Sequence, residues 1–296
     1  MERQELKYTE ITVLTHHQAV EGVADVLRCL GARGVVEEER GGGTLVTAYL
    51  ASPGDLEQQV VMVRARLSAL EREGICIAPG TVGLRDLDAR VWCEAWQDHF
   101  QVLHITPRLV VVPSWEKYQP AAGECVVVLE PGAAFGTGGH ETTRLCLRGL
   151  VEHMRPGDRV ADVGCGSGIL AVSAAVLGAR EVVATDSDRS ALAVALANAR
   201  RNGVEDRIQF LEADLLPHSG GPFDLIVCNI VSQEVIRLAE RLSALLSPGG
   251  RFIGSGFLAN MIPTVEEALL RAGLEMVEVL DHEGWTACVG ARPATT

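Results

Sequence analysis

The chain is predicted to fold as a doubly wound α/β sheet preceded by a small α+β unit. Three observations predict this. From residue 140 onward, short apolar runs alternate with amphipathic stretches of helix length, the pattern of parallel βαβ units. The first 88 residues instead interleave two helical and four strand-like patterns. The length of 296 residues, with 47 % hydrophobic and 22 % charged side chains, suits two globular domains of ordinary size.

In the first part, residues 7–14 read as a strand. Val20, Val23, Ala24, Leu27 and Leu30 form an i, i+3, i+4, i+7 stripe, so 18–30 is predicted to be an amphipathic helix, stopped by Gly31 and Gly34. Residues 34–39 and 44–50 flank Gly41-Gly42-Gly43 and read as a hairpin. A second helix is expected over 55–71, with Leu56, Val60, Val63, Leu67 and Leu70 on one side, and a closing strand over 75–84. The order βαββαβ is that of a ferredoxin-like sandwich. Domain boundaries are placed at 1–88 for this unit, 89–103 for a linker helix and 104–296 for the sheet domain. Trp92, Trp96 and Phe100 lie at i, i+4, i+8 on the linker, where packing of the junction is the simplest role.

Residues 109–112 and 125–129 read as β elements around a loop rich in Pro and Gly. The regular pattern then runs helix 141–154, strand 159–163, helix 168–178, strand 181–185, helix 189–202, strands 208–212 and 223–229, helix 232–246, strand 251–255, helix 263–272 and strands 274–280 and 285–289. Such a sheet binds ligands beyond the carboxyl ends of its central strands.

Composition excludes several classes. The net charge is −13, and both parts of the chain are acidic, so the Lys/Arg excess of a phosphate-backbone binder is missing. No apolar run reaches the roughly 18 residues of a membrane span, and residues 1–10 are charged rather than signal-like. The eight cysteines are scattered without a C-x-x-C pair, against a disulfide framework or structural zinc site. A cytoplasmic, metal-free protein with no direct nucleic-acid contact is expected.

The chemistry is concentrated in Val160-Ala161-Asp162-Val163-Gly164-Cys165-Gly166-Ser167-Gly168, a strand running through a D-x-G-x-G-x-G turn into a helix. The glycines permit a tight turn and close backbone approach to a ligand, and the helix start favours an anionic group. The spacing differs from the G-x-G-x-x-G of dinucleotide sites. Asp162, beside Gly164 and Gly166, would repel a pyrophosphate but could accept from an ammonium. S-adenosylmethionine has an ammonium, a carboxylate and no phosphate. Asp186 ends the second strand of the pattern, where an acid can accept both ribose hydroxyls; the competing role is to cap the next helix, which Asp188 could equally do. Glu212 or Asp214 could accept from an adenine amine or simply be solvated. Asn229 ends the buried run Phe223-Asp224-Leu225-Ile226-Val227-Cys228-Asn229. Its carbonyl could aim an incoming amine at a methyl group, or it could cap the following helix.

This set, with Ser247-Pro248-Gly249-Gly250 before a strand, resembles the class I S-adenosylmethionine-dependent methyltransferase pattern, a Rossmann-like sheet. A closer likeness lies upstream. Pro131-Gly132-Ala133-Ala134-Phe135-Gly136-Thr137-Gly138-Gly139-His140-Glu141-Thr142-Thr143 is a Gly-rich flap leading into a helix capped by Thr142 or Thr143. It resembles the P-G-x-A-F-G-T-G-x-H-x-T-T motif of the PrmA family, methyltransferases of ribosomal protein L11. Trp92-Cys93-Glu94-Ala95-Trp96, the stretch Arg108 to Trp115 and Glu283-Gly284-Trp285 look like further segments of that family.

The resemblance implies a protein N-methyltransferase that uses S-adenosylmethionine on lysine side-chain and/or N-terminal amines of that large-subunit protein, docked by the N-terminal domain. It implies cofactor contacts from Thr143, Gly164, Asp186 and Asn229, with Phe135 and Gly136 in the flap, Asn229 catalytic, and a monomer without metal. His140 would act as a base or fix the flap. A class I methyltransferase acting on another protein or a small molecule is the alternative. An NAD-linked oxidoreductase is disfavoured by the glycine spacing and Asp162.

Overall fold

The computed structural model describes residues 7–30, 32–41, 43–52, 56–72, 76–88, 100–130, 138–217 and 220–294. The chain divides into two units, Met1–Gln101 and Val102–Thr296.

In the first unit, β1 (Lys7–Thr15), α1 (Val20–Cys29), β2 (Ala32–Arg40), β3 (Gly43–Ser52), α2 (Leu56–Arg72) and β4 (Thr81–Asp88) follow in the predicted order. The sheet runs β2-β3-β1-β4, antiparallel throughout, as in a ferredoxin-like sandwich. Ile11 and Val13 of β1 and Val46 of β3 meet Val23 and Leu27 of α1 and Val63 and Leu67 of α2 in one core. The closing strand starts six residues later than the 75–84 expected. A turn at Ala78-Pro79, followed by Gly80 at φ +62°, intervenes, and proline has no N–H to give a ladder. Pairing with β1 then continues to Asp88. Of the expected linker helix, 89–99 lies outside the described residues, Trp92 and Trp96 included.

The second unit begins with a strand that sequence periodicity missed, β5 (Leu103–Thr106). It pairs antiparallel with β6 (Leu109–Pro113), which runs parallel to β7 (Cys125–Leu129). Then come α3 (Glu141–His153), β8 (Arg159–Val163), α4 (Ile169–Val176), β9 (Glu181–Asp186), α5 (Arg189–Arg201), β10 (Ile208–Glu212), β11 (Phe223–Asn229), α6 (Ser232–Leu245), β12 (Leu246–Leu258), α7 (Ile262–Arg271), β13 (Glu275–His282) and β14 (Trp285–Ala291). β12 is longer than the 251–255 expected, because Leu246 already pairs with Phe223 across a register shift.

The seven-stranded sheet has the order β10-β9-β8-β11-β12-β14-β13. β8 to β12 and β9 to β10 are parallel, and β14 runs antiparallel to both its neighbours. Strands buried on both faces read as continuous apolar runs because alternate side chains feed opposite cores. Val160, Val182, Ala184, Leu225 and Val227 pack with the α3–α4–α5 layer. Ala161, Val163, Val183, Ile226 and Cys228 pack with α6 and α7. The strand order reverses between β8 and β11, so a crevice opens beyond their carboxyl ends.

Candidate functional site

Strand parity assembles the site. Asp162, Asp186 and Asn229 share the parity of Val160, Ala184 and Val227, so all three project on the α3–α4–α5 side of the sheet. Where each strand ends then decides what its polar residue meets.

After β8 the chain turns through Gly164, Gly166 and Gly168, at φ +71°, +52° and +79°. Only glycine takes these angles without strain. A Cβ on Gly164 would lie 2.5 Å from Ile230 Cγ2, so space closes the position as well. The N–H groups of Gly164 and Cys165 donate to Thr185 O at 2.8 and 2.9 Å, tying the turn to the end of β9.

Asp186 braces this turn. Its Oδ2 accepts from Gly166 N and its Oδ1 from Asp188 N, each at 2.9 Å. Each carboxylate oxygen has further acceptor capacity, and Asp186 lines the cleft. The capping of α5 falls to Asp188, whose Oδ1 accepts from Ser190 N at 2.7 Å. The alternative role for Asp186 is therefore taken by its neighbour.

Asn229 caps nothing either; α6 begins without a side-chain cap. Asn229 Nδ2 donates to Thr143 Oγ1 at 3.1 Å. Its Oδ1 is buried and has no hydrogen-bond partner among the described residues, so within them the carboxamide is held by one end. Buried acceptors are usually paired, and an open one at the carboxyl end of a central strand invites a donor from a ligand.

Thr143 is 1 % exposed and meets Asn229 rather than the cleft. Asp162 is 0 % exposed; its Oδ2 accepts from Ala171 N at 2.9 Å and its Oδ1 is buried without a partner among the described residues. It lies beneath the glycine turn against the first turn of α4, two residues short of the cleft. Burial pushes its carboxyl up to about 7, opposed by the Ala171 hydrogen bond and aided by nearby Asp186.

The cap of α3 is His140, not Thr142 or Thr143. Its Nδ1 accepts from Thr142 N at 3.3 Å and lies 2.7 Å from Thr142 Oγ1. The ring also packs edge-on against Trp285, centroids 4.7 Å apart. Burial holds the imidazole below its ordinary range, which keeps Nδ1 an acceptor. Threonine lost the cap because both hydroxyls fall inside the helix, one and two residues past its start. Phe135 and Gly136 lie outside the described residues.

The cleft itself has a volume of about 450 Å³, within the usual range for small-molecule sites. Gly164 and Gly166 line it after β8, Asp186 and Ser187 after β9, Ala213, Asp214 and Leu215 after β10, and Asn229, Ile230 and Glu234 after β11. Leu215 sits at φ +60°, unusual for a residue with a branched side chain, and nothing in its sequence signals this. Glu234 was also missed, though an acid in the first turn after the fourth strand could have been noticed. Arg237 pairs with both Asp214 and Glu234, at 3.0 Å for the latter. Among the described residues three carboxylates, of Asp186, Asp214 and Glu234, thus line the cleft, the last two paired with Arg237. That balance repels a pyrophosphate and suits a cationic ligand carrying hydroxyls.

A family model described as "Ribosomal protein L11 methyltransferase (PrmA)" matches residues 7–293. Similar chains include the ribosomal protein L11 methyltransferase of Exiguobacterium sibiricum, 34 % identical over 98 % of this chain and 100 % of that one. That of Geobacillus kaustophilus is 35 % identical, covering 97 % and 100 %. A solved structure of ribosomal protein L11 methylase from Lactobacillus delbrueckii subsp. bulgaricus is 35 % identical with a TM-score of 0.62. It covers 66 % of this chain and 100 % of that one.

Proposed function

Since the chain belongs to the ribosomal protein L11 methyltransferase (PrmA) family, we propose that it transfers methyl groups from S-adenosylmethionine to lysine side-chain and/or N-terminal amines of ribosomal protein L11. The observation that carries this reading is the carboxamide of Asn229, fixed by Thr143, with its carbonyl left open beside the glycine turn and Asp186.

The residues present fit the cofactor. The glycine turn lines the cleft with bare backbone at positive φ, which lets a ligand approach it closely. Asp186 has acceptors for a vicinal diol, and the carboxylate balance suits a cation. Gly164, Gly166 and Asp186 would hold it, with Asp214 or Glu212 near the base. When bound, it supplies a methyl group on a sulfonium, open to displacement by a neutral amine.

The protein's part is mainly placement, which can supply much of such an acceleration. Asp214 and Glu234 attract a cationic amine to the cleft. A lysine ammonium, with a reference pKa of about 10.4, must then give its proton to solvent water, and withdrawal from water beside the neutral Asn229 carboxamide favours that loss. Asn229 Oδ1 accepts one N–H of the amine and leaves the lone pair directed into the cleft. His140 is engaged as a helix cap, so its part is to position α3 and Thr143. Asp162 acts from below, holding the first turn of α4. The N-terminal unit is read as the substrate-recognition domain. The cytoplasm, where ribosomes are built, is the expected setting; no described helix is long and apolar enough to cross a membrane.

The test is methyl transfer from isotopically labelled S-adenosylmethionine, with purified ribosomal proteins as acceptors and mass spectrometry of the products. Label on L11, lost in Asn229→Ala, is expected. Label on a different protein from cell extract, with none on L11, would refute the substrate but keep the chemistry. No labelled acceptor of any kind would refute both.

A further inference from the structure

We propose that Asn198 is a positioning residue that ties the glycine turn of the cleft to the end of β7, holding the turn from behind in its ligand-receiving shape. The inference rests on the cofactor role given above to that turn. α5 is rich in alanine, and its inner face backs directly onto the turn: a Cβ on Gly168 would lie 2.8 Å from Ala195 Cβ. One helical turn onward, Asn198 is 0 % exposed. A carboxamide buried in a helix interior is unfavourable unless its groups are paired.

Both ends of this one are paired, to two different segments. Nδ2 donates to Ser167 O at 2.9 Å, the carbonyl between the left-handed Gly166 and Gly168. Oδ1 accepts from Glu130 N at 3.0 Å, just past β7, and more weakly from Arg201 Nη1 at 3.4 Å. The Glu130 carboxylate is itself held by Arg201 Nη2 at 2.9 Å. α4 starts at Gly168 with no side-chain cap, so the Asn198 bond is a side-chain constraint on the turn that does not come from the cleft side.

Asn202 supplies an internal comparison. It pairs both backbone groups of Val128, accepting from its N at 2.8 Å and donating to its O at 2.7 Å. It therefore anchors the same strand without reaching the glycine turn. If Asn198 merely fastened β7, the two residues would be equivalent.

The experiment uses the full chain, with S-adenosylhomocysteine as the probe, titrated by calorimetry, alongside melting temperature and amide hydrogen exchange without ligand. Asn198→Ala should weaken probe binding about tenfold, the loss of one well-placed hydrogen bond, and speed exchange of the amides over 166–171. Asn202→Ala should lower the melting temperature comparably while leaving the dissociation constant within about twofold. Asn198→Asp keeps the size and the acceptor for Glu130 but loses the donor to Ser167, and should bind the probe as poorly as Asn198→Ala. Wild-type binding by both Asn198 variants, or equal weakening by Asn202→Ala, would overturn the proposal. A wild-type chain that does not bind the probe would instead refute the cofactor reading, and exchange at 166–171 would still decide whether Asn198 holds the turn.

Discussion

Replacing Thr143 by valine isolates the bond that orients Asn229. The two side chains have nearly the same shape, Thr143 is buried, and its Oγ1 accepts from Asn229 Nδ2 at 3.1 Å. Valine cannot accept, so a buried amide donor is left unpaired, at a cost of about 1–3 kcal/mol. In a unit of this size each kcal/mol lowers the melting temperature by about 2–4 °C. The larger consequence is kinetic. Once free to turn, the carboxamide no longer holds Oδ1 in one place at the end of β11, and misplacement on that scale costs on the order of 100-fold in turnover. Binding of S-adenosylhomocysteine should change far less, because Asp186 and the glycine turn are untouched. Thr143→Ser retains the hydroxyl and should retain most activity. Thermal denaturation, calorimetry and methyl-transfer kinetics at saturating cofactor read the three effects separately. Full turnover in Thr143→Val, or equal damage in Thr143→Ser, would refute the reasoning.

Gly164→Ala forces a side chain onto φ +71° with its Cβ 2.5 Å from Ile230 Cγ2. It should cost about 1–2 kcal/mol from the backbone alone and weaken cofactor binding, as seen by melting temperature and titration. Asp162 carries a carboxyl pushed up to about 7, so between about pH 4 and 7 the folded chain holds a proton that the unfolded chain releases. Its contribution is complete at acid pH and lost as pH rises through 7. Urea denaturation should therefore find Asp162→Asn more stable than wild type at pH 8 and close to it near pH 4, and the reverse order would contradict the assignment. His140 has the opposite sign: burial lowers its pKa, so the cap is intact above about pH 6.5 and weakens as pH falls below it. Asparagine is a good N-cap. His140→Asn should keep most activity and flatten the acid limb of stability, whereas a loss of activity of about 100-fold would make His140 a chemical participant.

Much of the site was legible in the chain because it depends on local rules. The D-x-G-x-G-x-G turn announces positive φ, and the structure places all three glycines there. Asp186 and Asn229 were readable because each ends a buried apolar strand, and such ends meet at one edge of a parallel sheet. What escaped was of another kind. Thr142 and Thr143 have better capping propensity than histidine, yet the helix begins at Glu141, so both lie inside it and His140, packed against Trp285 from far along the chain, holds the position. Asp162 carried the right charge and the right parity, but its depth under α4 follows from helix placement, not from spacing. Asn198 and Asn202 look like ordinary helical residues until β7 and the glycine turn are set beside them.

Period and punctuation alone therefore determined the succession of elements and the polar residues that end the central strands, since backbone periodicity and glycine conformation act within a few residues. Only the tertiary structure decided which of those residues line the cleft and which face protein. Thr143 and Asn229 are 86 positions apart, and no short-range rule joins them. The hydrogen bond between them exists because packing of α3 on the sheet brings the Thr143 hydroxyl to the donor at the end of β11.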